Sequence, residues 1–143
     1  MIFFLIFLQT ASGEQLALKK IAIVEQKAIY LTQPPDESNL LFVVNQKGII
    51  QIIKHDTLVA EPFLDISDRV FESKNEESKS GLLGLAFHPS YNKNGSFFLS
   101  YINKENTFTI SRFSVSRDKE IANKDSEKII LKLPRSNVDN AGG

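Results

Sequence analysis

Two histidines, His55 and His88, are the imidazoles in this 143-residue chain able to carry a proton near neutral pH. His88 stands in Phe87-His88-Pro89, at the end of an apolar run, where a side chain could meet a cleft and act as a base. The competing reading is a structural histidine that hydrogen-bonds the turn after it, and that is the expectation here. His55, in Lys54-His55-Asp56, is expected to be a solvated turn residue. Asp65 and Asp68, beside Arg69, could pair for calcium binding or acid–base work. A calcium loop needs about six or more oxygens, so capping and a local ion pair are expected instead. Glu72, Lys74, Glu76, Glu77 and Lys79 form a mixed-charge loop, which is usually a solvated face. Asn94-Gly95-Ser96 fits the glycosylation tripeptide and occupies a tight turn. The absence of cysteine excludes disulfides, thiolate metal sites and cysteine nucleophiles.

The elements that must position these groups are short strands. Leu82 to Phe87 is apolar and uncharged, and Pro89 ends it because proline has no N–H for the next ladder bond. Residues 92–95 read as a turn, and residues 96–102 as an aromatic-rich partner strand. Glycines on either side of Leu82-Leu83 permit another backbone or a ligand to approach closely. Earlier, residues 16–24 and 28–32 are strand candidates, and residues 34–39 form a Pro/Asx turn. Residues 40–44 and 49–54 form a hairpin whose turn ends in Gly48. Residues 62–66 are extended, and Ser67 is a possible cap for one helical turn through Val70. Residues 108–115 alternate, with a slip near Arg112 that permits a bulge. Residues 117–128 read as a charged loop and residues 129–133 as a last strand. No stretch keeps a helical period, so the fold class is all-β, in two groups of about four antiparallel strands.

The composition is that of an ordinary globular domain, 42% hydrophobic and 24% charged. Seventeen basic and seventeen acidic residues cancel, so no bulk field points to nucleic acid or an anionic membrane. Residues 1–13 begin with an uncharged apolar run and end in Ala11-Ser12-Gly13. They look like a secretory signal with small residues at its cleavage site, although a basic start is lacking; the alternative is a buried strand. The run is shorter than the roughly 20 residues that span a bilayer, and no later segment reaches that length. A periplasmic or secreted location is the expectation, with residues 14–143 forming the domain.

Gly81-Leu82-Leu83-Gly84-Leu85-Ala86-Phe87-His88-Pro89-Ser90-Tyr91, followed by an Asn-Gly turn and an aromatic strand, resembles the glucose/sorbosone dehydrogenase family. Supporting pieces occur in order: Leu41 to Ile50, Phe63 to Val70, Ile110-Ser111-Arg112-Phe113 and Ser126 to Leu131. The resemblance implies a six-bladed β-propeller, of which this chain is the amino-terminal part. It implies pyrroloquinoline quinone (PQQ) and calcium as cofactors, and oxidation of an aldose sugar at its C1 hydroxyl. It places the family's histidine base at Asn140, with Asp139 before it and Gly142-Gly143 after it. An asparagine amide takes no proton near neutral pH. The resemblance also places Lys79 where the family has a Gln or Glu facing the cofactor. Hedgehog-interacting proteins resemble the same family and bind a protein partner, so a non-catalytic propeller binding protein or carbohydrate is the alternative.

Overall fold

The structure is a computed structural model that describes residues 20–24, 27–72 and 80–135. Its strands form two antiparallel sheets. The first contains β1 (Ala28–Thr32), β2 (Leu41–Asn45), β3 (Ile49–Lys54) and β4 (Thr57–Leu58) in that order, with β5 (Leu64–Asp65) also paired to β3. The second contains β6 (Leu82–Phe87), β7 (Ser96–Ile102), β8 (Thr107–Val115) and β9 (Ala122–Pro134), each beside its sequence neighbour. The all-β expectation holds, and the grouping into two sheets falls where the charged loop separates them.

Local sequence explains most of this. β2 and β3 are rich in Val and Ile, whose branched side chains suit a pleated, half-buried surface. Asn45 accepts from the Gly48 N–H at 3.1 Å and closes the hairpin between them. His55 and Asp56 both have positive φ and lie exposed, so His55 is the solvated turn residue the sequence suggests.

The core lies between the sheets. Phe42, Ile50, Ile52, Phe63 and Ile66 face Leu82, Leu85, Phe97, Leu99 and Phe113, all buried. Phe42 meets Phe63 edge-on at 4.8 Å and Phe87 at 5.0 Å; Phe63 and Phe97 lie 5.2 Å apart. Phe97 is fully buried at the middle of this chain of rings. Phe97→Ala is expected to cost about 3–5 kcal/mol, the lost transfer energy plus the cavity it leaves. A chemical-denaturation series would measure it; a loss below about 1 kcal/mol would show that the sheets do not depend on this contact.

Several local expectations require correction. Residues 92–95 are not a simple turn: Tyr91–Asn94 form one short α-helix, α1, ended by Gly95 at φ 58°. The buried Tyr91 ring against Phe87, 4.7 Å away, holds that turn of helix onto the core. Residues 117–128 are not all loop, because β9 starts at Ala122. Ser67 does not cap a helix; Ile66 accepts from the N–H groups of Arg69 and Val70, and Asp65 Oδ1 accepts from the Ser67 N–H at 2.9 Å. Of residues 16–24, those described (20–24) lie outside any strand. Within β6, Leu82 and Leu85 are buried, but Leu83 is half-buried. The register shift between Leu82 and Gly84 makes Leu83 the extra residue and turns it away from the core. Phe87 is half-buried and packs against the core. The bulge expected near Arg112 is present, between Arg112 and Ser114.

Candidate functional site at the hairpin end of the sheets

Antiparallel pairing brings four strand ends together. Leu82 pairs with Tyr101, Ile102 with Phe108, and Thr107 with Pro134. The start of β6, the end of β7, the start of β8 and the end of β9 therefore share one end of the second sheet. Ser80, which enters β6, and Arg135, which leaves β9, are both there.

The hairpin of the first sheet docks onto the same place. The Gln46 carbonyl accepts from the Leu82 N–H at 2.8 Å, and the Gln46 amide donates to the Ser80 carbonyl at 2.9 Å. One residue thus grips the entry to β6 on both sides. Gly81 lies between these bonds with φ +81°, and a Cβ there would stand 2.1 Å from the Gln46 carbonyl oxygen. Both the backbone angle and the approach require glycine. The next hairpin is fixed by Asn103, whose Oδ1 accepts from the N–H groups of Glu105 at 3.1 Å and Thr107 at 2.9 Å. Charged pairs line the rim: Lys47 with Glu72 at 3.7 Å, and Lys132 with Glu105 at 4.0 Å. These are exposed and contribute little to stability.

Behind this end sits a polar cluster that no local pattern revealed. Arg69 Nη1 donates to Glu127 Oε2 at 2.5 Å and to the Lys124 carbonyl at 3.1 Å, while the Tyr101 hydroxyl donates to Glu127 Oε1 at 2.5 Å. The cluster joins the turn after β5 to the second sheet. A register break makes it possible: between the pairs Ser114–Asn123 and Arg112–Lys128, β9 carries extra residues. Ser126 secures that excursion by accepting from the Ser114 N–H at 2.8 Å. Burial pushes the Glu127 carboxyl up, but the hydrogen bonds from Tyr101 and Arg69, helped by the nearby Ser111 hydroxyl, outweigh it and hold it below the usual carboxylate range. The Ser111 hydroxyl has no partner of good hydrogen-bond geometry, yet it lies close enough to favour the charged carboxylate. Burial, then the bond to Glu127, pushes the Tyr101 hydroxyl up to about 12.

These shifts have opposite pH consequences. The depressed Glu127 carboxyl contributes stability above its unfolded value, about 4.3, and that contribution disappears as pH falls through the lower folded value. The raised Tyr101 hydroxyl contributes fully below about pH 10 and loses its share as pH rises towards about 12. Glu127→Gln is expected to flatten the acid limb of denaturant midpoint against pH, and Tyr101→Phe part of the alkaline limb. Unchanged limbs in both variants would show that these groups are not the ones titrating.

The residues singled out by sequence fall in different places. His88 is the structural histidine: its Nδ1 accepts from the Ser90 N–H at 2.9 Å in the turn that follows. It stands by the α1 turn, at the end of β6 away from Gly81. Asp65 caps the Ser67 N–H, as expected for a capping carboxylate. Asp68 pairs with Lys124 Nζ at 2.7 Å and Arg69 with Glu127, so the expected local Asp68–Arg69 pair is replaced by two links across to β9. The hydrogen bond from Lys124 lowers the Asp68 carboxyl below its ordinary value. Lys74, Glu76, Glu77, Lys79, Asp139 and Asn140 lie outside the described residues, as do residues 1–13. Among the described residues, no three side chains of metal-ligating type converge, and no helix is long and apolar enough to cross a membrane.

The family model described as "Glucose / Sorbosone dehydrogenase" matches residues 26–143. Hedgehog-interacting protein of Mus musculus is 37% identical over 76 residues, covering 52% of this chain and 11% of that protein. HIPL1 protein of Arabidopsis thaliana is 32% identical over 76 residues, covering 47% of this chain and 10% of that protein. The chain spans about a tenth of the length of these curated relatives. Among solved structures, the PQQ-bound form of Aldose Sugar Dehydrogenase from Streptomyces coelicolor superposes with TM-score 0.64 at 17% identity. That likeness covers 80% of this chain and 33% of the other, and it shows the fold: the two sheets are blades of propeller type.

Proposed function

This chain belongs to the glucose/sorbosone dehydrogenase family, and from that membership we propose that it builds the first blades of an exported, six-bladed, PQQ-dependent aldose dehydrogenase. The observation that carries this reading is the shared end of the second sheet. Ser80 follows Lys79 directly, and Arg135 leads towards Asp139 and Asn140. Pairing of β6 with β7, β7 with β8 and β8 with β9 brings Ser80 and Arg135 to one end. Ser80 and Arg135, the described residues that flank the segments to which the family resemblance assigns site residues, thus stand at the same end of the sheet.

The residues described do not by themselves fit the implied cofactors. No three metal-ligating side chains converge among them, and Lys47 and Lys132 at this end are engaged by Glu72 and Glu105. In this reading, groups outside the described part complete the calcium and quinone sites. Within this reading, the roles of Asp139, Asn140 and Lys79 are to contact the sugar hydroxyl and the cofactor side. The Asn140 amide can orient a hydroxyl by hydrogen bonding, but it does not remove the proton.

A second reading is favoured by that same asparagine and by the 36–37% identity to Hedgehog-interacting proteins. In it the propeller is kept for binding a protein or a carbohydrate, with no oxidation. The test is to supply the full-length protein with PQQ, calcium and a panel of aldoses, and to follow reduction of an artificial electron acceptor. Sugar-dependent turnover supports the dehydrogenase. Saturable sugar or protein binding without turnover supports the second reading.

A further inference from the structure

We propose that Asn94 is an acceptor for N-linked glycosylation, taking an oligosaccharide from a polyprenyl-diphosphate donor when the chain passes an oligosaccharyltransferase. The inference does not depend on the enzymatic reading. Asn94-Gly95-Ser96 has the acceptor pattern, with a residue other than proline in the middle. Pattern alone is weak; the local geometry carries the argument. Asn94 is exposed, and so are Pro89, Ser90, Asn92 and Lys93 around it. The Ser96 N–H donates to Asn94 Oδ1 at 2.9 Å, a turn that folds the carboxamide back onto the serine of the same tripeptide. Glycine holds the middle position for a packing reason. Gly95 has φ +58°, donates its N–H to the Tyr91 carbonyl at 2.7 Å, and a Cβ there would lie 2.5 Å from Val115 Cγ2.

The amide nitrogen has capacity for the modification. Asn94 Nδ2 lies 3.0 Å from His88 Nδ1. His88 Nδ1 already accepts from the Ser90 N–H at 2.9 Å, so it is the lone-pair nitrogen and receives one hydrogen from Asn94. The second amide hydrogen has no partner among the described residues. Transfer forms a bond between Nδ2 and the sugar C1 and breaks the bond from C1 to the diphosphate oxygen. The polyprenyl diphosphate leaves with that electron pair, and the nitrogen gives up one proton. No oxidation or reduction is involved. The product amide keeps one N–H. The turn also lies at the end of β6 opposite Gly81, so a glycan here leaves the hairpin end open.

The test is secretion of the full-length protein from a eukaryotic host behind a heterologous secretory signal, with protein recovered from the medium. Peptide-N-glycosidase F is expected to shift the wild type by one glycan, and peptide mapping should place it on Asn94. Asn94→Gln is expected to remove that glycan. Ser96→Ala also removes it while keeping the Asn94 amide and the backbone donor of the turn, which separates loss of the acceptor pattern from loss of folding. Ser96→Thr is expected to leave the site occupied. Secreted wild-type protein with unmodified Asn94, or a glycan on Asn94 that persists in Ser96→Ala, would overturn the proposal.

Discussion

Replacing Asn140 with histidine in the full-length protein, supplied with PQQ and calcium, is expected to raise aldose oxidation by about 10²–10⁴-fold, the usual contribution of a positioned base. The family resemblance assigns the base to this position, and the amide there takes no proton from a C1 hydroxyl near neutral pH. An imidazole would be partly deprotonated at that pH and able to accept it. The rise should appear in kcat, because the amide can still orient a sugar hydroxyl and leave KM little changed. Stopped or steady-state assays with an electron acceptor measure it. Full activity with asparagine in place would move the base elsewhere in the protein. Inactivity of both forms would favour a propeller retained for binding.

Gly81→Ala should be the most damaging single-methyl addition in the described part, costing about 3 kcal/mol or more from combined backbone strain and overpacking. The new Cβ meets a backbone carbonyl, Gln46 O, at 2.1 Å, and no rotamer change can relieve that contact. The same carbonyl accepts the Leu82 N–H, so relief requires the hairpin to leave β6. Gly84→Ala is the matched control, since its Cβ would meet only the Ser100 hydroxyl at 3.1 Å. Denaturant midpoints of the two variants give the comparison. Equal midpoints would mean that the Gln46 clamp does not hold the sheets together.

Strands with strong local signals were legible from sequence. β2, β3 and β6 to β8 have apolar or alternating patterns bounded by Gly, Pro and Asn, and they occur where those signals place them. β9 was half missed because its first part carries Lys124, Asp125 and Glu127, which resemble loop residues locally. They are charged because the bulge aims Lys124 at Asp68 and Glu127 at Arg69, contacts that span 56 and 58 residues. Such a link leaves no trace in a sequence window. The two segments involved were nevertheless visible separately, as Phe63 to Val70 and Ser126 to Leu131 in the family pattern. α1 was read as a turn because four residues are too few to show a helical period. Its terminator was visible in Gly95, the residue type that commonly ends a helix in the left-handed conformation. At the candidate site, the strand ends and the Gln46 grip come from tertiary pairing, whereas Lys79, Asp139 and Asn140 were assigned through resemblance to the family.

A crystal structure of the full-length protein soaked with PQQ and calcium tests the placement of the site most directly. The quinone is expected at the end of the second sheet where Ser80 enters β6 and Arg135 leaves β9, with Lys79, Asp139 and Asn140 around it. A quinone bound at the opposite end, beside His88 and α1, would contradict the account, as would crystals that take up no quinone at saturating concentration.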